Sequence, residues 1–148
     1  MRAPVCIFLL AAATFFVQST ASAQVGVSYH QSGLPFVGVQ YNFAGQPIMA
    51  EFRLSTDRDF DDISPEIVAT YSFINKPQHQ VYGGLGLRVN VLEGIVFPIG
   101  IKVYPIQSFS GLGLHVELAP SIATNEFESE NILRGSWGFH YIFGRNED

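Results

Sequence analysis

From residue 25 onward the sequence alternates between apolar and polar or glycine positions. Val25, Val27 and Tyr29 share one parity, and Gly26, Ser28 and His30 the other. A period of two places successive side chains on opposite faces of an extended strand. The pattern recurs in eight segments, 25–30, 36–43, 48–55, 64–73, 80–91, 95–104, 110–123 and 133–143. Turn formers such as Gln31-Ser32-Gly33, Ala44-Gly45-Gln46, Asn75-Lys76-Pro77 and Leu92-Glu93-Gly94 separate them. Short alternating segments between such turns predict an antiparallel all-β domain. No helical period, linker or low-complexity stretch interrupts residues 24–148, so they are expected to form one domain.

The two faces differ in kind. One carries Val39, Phe52, Leu54, Ile67, Leu87, Ile101, Leu114 and Trp137; the other carries Gly26, Gly38, Gly84, Gly86, Gly100, Gly113 and Gly138, a few amides and hydroxyls, and scattered charges. A soluble barrel with its apolar face inward needs a charged outer surface, and glycine on a solvent-facing strand only weakens it. Inside an eight-stranded barrel, whose interior side chains just fill, glycine makes room for long neighbours. Several segments run about 9–12 residues, enough to cross a membrane at a tilt. The expected fold is therefore a closed eight-stranded antiparallel up-and-down β-barrel of the transmembrane type. The alternative is a soluble periplasmic lipocalin-like barrel with the apolar face around an apolar ligand.

Aromatic residues collect at the ends of the even-numbered segments: Tyr41 and Phe43, Tyr71 and Phe73, Tyr104, and Tyr141 and Phe143. Such a rim matches the girdle at a membrane–water interface. Two features test the barrel. Pro98 lies inside the sixth segment, where a closed sheet offers no edge for a residue without an N–H, so a bulge or break is expected there. The first segment, the shortest of the eight, must pair with residues 135–143 to close the ring.

Composition narrows the setting. The 148 residues are 47% hydrophobic and only 14% charged, against roughly 25% charged in an ordinary soluble domain. Arg2, an apolar stretch over 5–17 and Ala21-Ser22-Ala23 read as a cleavable secretory signal peptide, residues 1–23. The single cysteine, Cys6, lies inside it, leaving the mature chain without a disulfide framework or a thiolate metal site. Loss of Arg2 takes the formal net charge from −5 to −6, which disfavours nucleic acid as a partner.

The last segment, with Trp137, Phe139, Tyr141 and Phe143, carries a more specific signal. It resembles the C-terminal strand of the small bacterial outer-membrane β-barrels, those like the OmpA transmembrane domain and OmpX. The resemblance extends in pattern over the mature chain. It implies an outer-membrane location, contact with outer-membrane lipid, and recognition of Trp137, Phe139, Tyr141 and Phe143 by the barrel assembly machinery. The sequence departs from that pattern in carrying Gly144-Arg145-Asn146-Glu147-Asp148 after the final aromatic.

Chemistry is sparse. Glu51, Arg53, Glu66, Arg88, Glu117 and Arg134 share the inward parity, three acidic and three basic. Buried charges persist when paired, so a salt-bridged plug is expected rather than a gated polar pore. The acidic stretches 57–62 and 126–130 are expected on the outer side with Glu93. Asp57, Asp59 and Asp61 imitate the start of a calcium loop, but Asp62 and Val68 stand where Gly and Glu belong. His30-x-Ser32 has the spacing of a lipid A-modifying barrel enzyme but lies in the first segment, whereas that family's pair lies late in its chain. The scattered His79, His115 and His140 do not form a metal set. The expectation is a non-enzymatic protein without cofactor or metal, with a structural or surface-interaction role.

Overall fold

The structure, a computed structural model, describes residues 24–43, 45–56, 63–89, 93–123 and 132–145. The expected signal peptide and the acidic stretches 57–62 and 126–130 lie outside the described residues. Among the described residues, nine strands form one antiparallel sheet: β1 (Gln24–Gln31), β2 (Phe36–Asn42), β3 (Ile48–Thr56), β4 (Ile63–Asn75), β5 (His79–Arg88), β6 (Gly94–Val96), β7 (Ile99–Val103), β8 (Leu112–Ala123) and β9 (Ile132–Ile142). Apart from β6 and β7, each strand pairs with its sequence neighbours, and β1 pairs with β9, Gly26 opposite Ile142 through Gln31 opposite Trp137. β6 and β7 lie end to end between β5 and β8, so the ring has eight staves.

The break between β6 and β7 falls at Phe97 and Pro98. It is a break without a bulge. Gly86 faces Val96 and Gly83 faces Ile99, so the register to β5 continues unchanged across the gap, as does that to β8 from Val96–Ser121 to Ile99–Leu118. Two bonds survive there: Phe97 N–H donates to the Pro120 carbonyl at 2.9 Å, and Gly84 N–H to the Pro98 carbonyl at 2.8 Å. In an antiparallel ladder each such pair exchanges two bonds. Pro120 and Pro98 each lack the N–H that would return the second.

The alternation sets the faces as the segments foretold. Val27, Val39, Phe52, Ile67, Leu87, Val116 and Trp137 are exposed on the outside, while Ser28, Gln40, Glu51, Arg53, Glu66, His115 and His140 are buried inside. The soluble lipocalin-like alternative required the opposite orientation. Lumen glycines lie beside the bulky residues they accommodate: a Cβ on Gly100 would meet the Tyr82 hydroxyl, one on Gly113 the His140 ring, and one on Gly138 the His115 ring.

Three details of the sequence reading change. β1, with 8 residues, is longer than β2, with 7. Phe109 belongs to a 3₁₀ turn, Gln107–Phe109, and β8 begins only at Leu112, two residues after the start of the seventh segment. In β4 the register shifts between Ser72 and Ile74, leaving Phe73 as an extra residue whose ring covers Gly83.

Connections at one end of the barrel are short, spanning 43–47, 76–78 and 104–111, and Gln24 and Arg145 lie at that end too. We call it the turn end. The other, the loop end, carries 32–35 and the last residues of β3, β5 and β8.

Candidate functional site

Alternation alone brings six charges into the lumen, because β3, β4, β5, β8 and β9 each turn one or two charged residues to the inner parity. Strand tilt and stagger then bring them to one depth. Arg53, from β3, lies at the centre. Its Nη1 donates to Glu117 Oε1 at 2.7 Å and Glu66 Oε1 at 3.1 Å, and its Nη2 to Glu117 Oε2 at 2.9 Å and Glu51 Oε2 at 2.8 Å. Glu66 also accepts from Arg88, Nη2 at 2.6 Å and Nε at 2.9 Å, and from both terminal nitrogens of Arg134 at 3.1 Å. Arg134 lies 3.5 Å from Glu117. Of the three lumen carboxylates, Arg134 pairs with Glu66 and Glu117.

Further lumen residues join this cluster that charge counting had passed over. Phe36, fully buried, carries the Arg134 guanidinium 4.6 Å and that of Arg88 5.4 Å from its ring centre. Tyr82 donates its hydroxyl to Glu117 Oε2 at 2.9 Å. Ser28 hydrogen-bonds Glu51, whose Oε1 also lies 2.9 Å from His30 Nε2, and His30 Nδ1 lies 2.9 Å from His115 Nε2. Parity would have found all of these: Tyr82 and His115 share the phase of Arg88 and Glu117 on their own strands, and Ser28, His30 and Phe36 that of the inward Gly26, Gly38 and Gln40 on β1 and β2. Lys102, nearer the turn end, donates to Gln40 Oε1 at 3.2 Å and contacts Met49 Sδ at 3.0 Å, with its ammonium 5.3 Å from the Tyr82 ring centre.

The aromatic residues named for a girdle stand on the outside at the turn end, with one exception. Tyr41 and Phe43, Tyr71 and Phe73, and Tyr141 and Phe143 stand as adjacent ring pairs with centroids 5.0, 5.7 and 5.1 Å apart. Tyr104 does not belong to it. Lying two residues after Lys102, it keeps the inward parity: it is 5% exposed, meets His140 edge-on and donates its hydroxyl to Gln80 Oε1 at 3.2 Å. Trp137, Phe139 and Phe143 face outward. Phe143 N–H donates to the Val25 carbonyl at 2.8 Å, after which Gly144, at φ +67°, turns the chain beneath the barrel.

Among the described residues, no group of three His, Cys, Asp or Glu side chains is arranged to hold a metal. His30 and Ser32 do not meet as base and nucleophile: His30 is held by Glu51 and His115, and the Ser32 hydroxyl bonds the Leu34 carbonyl.

Solved structures place this geometry. The N-terminal β-barrel domain of Pseudomonas aeruginosa OprF superposes with a TM-score of 0.57 at 13% identity, covering 83% of this chain and 98% of that one. The chain has the fold of the small outer-membrane β-barrels. A protein from the de novo design of transmembrane β-barrels matches at TM-score 0.54 and 14% identity, over 84% and 98% of the two chains. Yersinia pestis outer membrane protein Ail, in a phospholipid bilayer nanodisc, matches at 0.50 and 12%, over 82% and 98%. No protein-family model and no curated protein matches the sequence. At such identity the likeness is one of fold.

Proposed function

We propose that this protein is an integral outer-membrane barrel with a structural or surface-contact role, delivered by its signal peptide and inserted by the barrel assembly machinery, and that its lumen is closed to ions. The observation that carries the reading is the contrast between an apolar exterior and an interior where every carboxylate of the central cluster is held by at least one guanidinium. Moving an ion through that cluster means breaking charge-assisted bonds in a place with little water to replace them. The role assigned is contact and integrity, with no reaction.

Two measurements test it separately. The protein is expected to resist carbonate extraction and to shift its gel mobility on boiling; recovery in the soluble periplasmic fraction would refute the membrane reading. In planar bilayers its conductance should stay below a few tens of picosiemens, on the order set by an eight-stranded bore. Steady openings well above that would refute the plug and leave the membrane reading intact.

A further inference from the structure

The lumen is not filled evenly from end to end. Beneath the charge cluster, at the turn end, a cavity of about 460 Å³ opens among the side-chain amides of Gln24, Asn42, Gln46, Asn75 and Gln80, with Arg145 at its edge. A smaller one of about 40 Å³ shares Asn42, Gln46, Pro47, Asn75 and Gln80 with it and reaches inward to Tyr82 and Lys102. Together they form a funnel with a polar wall and a cation at its floor.

That cation is chemically distinctive. The three lumen carboxylates, Glu51, Glu66 and Glu117, are each taken by arginine. Lys102 is the fourth cation beside three anions, and among the described residues no carboxylate lies within ion-pair distance of it. It is 93% buried, being 7% exposed. An ammonium has three N–H donors; Gln40 Oε1 and Met49 Sδ engage two, and the Tyr82 ring centre lies 5.3 Å away. A buried charge with no counterion is costly, and the open side of Lys102 is the funnel. At the mouth, Arg145 Nη2 donates to the Pro77 carbonyl at 3.2 Å and its guanidinium stacks 3.5 Å from the Tyr104 ring centre, while its buried Nη1 has no protein partner. Two cations at two depths, joined by amides that can donate and accept, match a solute with an acidic end and a hydroxylated body.

We propose that this vestibule is a binding site for a small carboxylate- or phosphate-bearing solute, whose anionic group pairs with Lys102 and whose hydroxyls meet the ring of amides. The volume is within the range of small-molecule sites. The outer-membrane reading makes the periplasm the compartment it samples, but the binding itself depends only on the folded barrel.

The test uses the full mature chain, 15N-labelled and refolded in detergent micelles, titrated with D-glucuronate, with inorganic phosphate and with uncharged D-glucose. Saturable shifts of the Asn42, Asn75 and Gln80 side-chain amides are expected with one or both anions and not with glucose, and which anion acts distinguishes a carboxylate from a phosphate ligand. Lys102→Gln should weaken that binding about tenfold, the loss of one charge-assisted contact. Arg145→Gln serves as a second variant at the rim, outside the strands. Weakening in either folded variant supports the site. Absence of saturable shifts with both anions, equal binding of glucose, or unchanged affinity in both variants overturns it. Because micelles are used, that failure is independent of the carbonate-extraction result.

Discussion

Glu66 is the residue on which the inner cluster is most concentrated, since it accepts from Arg53, Arg88 and Arg134 and is fully buried. Removing one partner from a buried ion set leaves its companions uncompensated, which typically costs about 3–5 kcal/mol. Glu66→Gln should therefore lower the urea unfolding midpoint in lipid vesicles by an amount of that order, and a loss under about 1 kcal/mol would mean that the arginines find water or other acceptors. Replacing the whole cluster by apolar residues is a different experiment and need not destabilise. All six charges named from the sequence do enter the lumen, because parity on a strand is a strict geometric rule. Their partners were less legible. Lys102 on β7 meets Gln40 on β2 and Met49 on β3 across the bore, and such contacts follow from tilt and stagger, quantities that depend on the closed ring and leave no local pattern.

At the scale of single strands, the sixth stave is the weak one. Phe97 and Pro120, and Pro98 and Gly84, each keep one ladder bond where two are possible. Pro98 is fully buried in the lumen, so replacing it would also leave a void, whereas Pro120 is exposed on the outer face. Pro120→Val restores an N–H opposite the Phe97 carbonyl and puts a β-branched side chain on the apolar wall. It should raise the unfolding free energy by about 1 kcal/mol, the usual net worth of one added hydrogen bond. Urea titration of the two proteins in the same vesicles would decide it, and a variant equal to or less stable than the parent would show that the proline backbone itself fits this position better. Pro98 announced the break in advance because a missing donor is a property of the residue. The extra residue Phe73 in β4 and the 3₁₀ turn holding Phe109 were not legible, since both answer to the packing of neighbouring strands: the Phe73 ring lies over Gly83, and Phe109 meets Tyr141 at 6.1 Å.

Taken as a whole, the molecule puts its apolar face outward and its charges inward, and the sequence carries a built-in reporter of that arrangement. Trp137 is the single tryptophan. It is the sixth of the eleven residues of β9, 62% exposed on the outer wall, and flanked by Gln31 of β1 and Val116 of β8. If the wall meets lipid, the middle of a spanning strand lies near the middle of the hydrocarbon layer, about 15 Å from either interface. Emission from the folded protein in vesicles should then be blue-shifted. It should be quenched by lipids brominated deep in the acyl chain more than by lipids brominated near the headgroup, and left almost untouched by aqueous iodide. A soluble barrel of the same topology would bury Trp137 among inward apolar side chains and respond to neither bromolipid. A sample verified as folded by its gel mobility, yet quenched by iodide and indifferent to deep bromine, would place this face in water and remove the membrane reading. Orientation is what the sequence expressed most fully, because one inversion of apolar and polar faces is repeated along every stave. It says least about what the turn-end vestibule holds, because that site is assembled from single amides at the ends of four strands and in one turn, none of which is a pattern by itself.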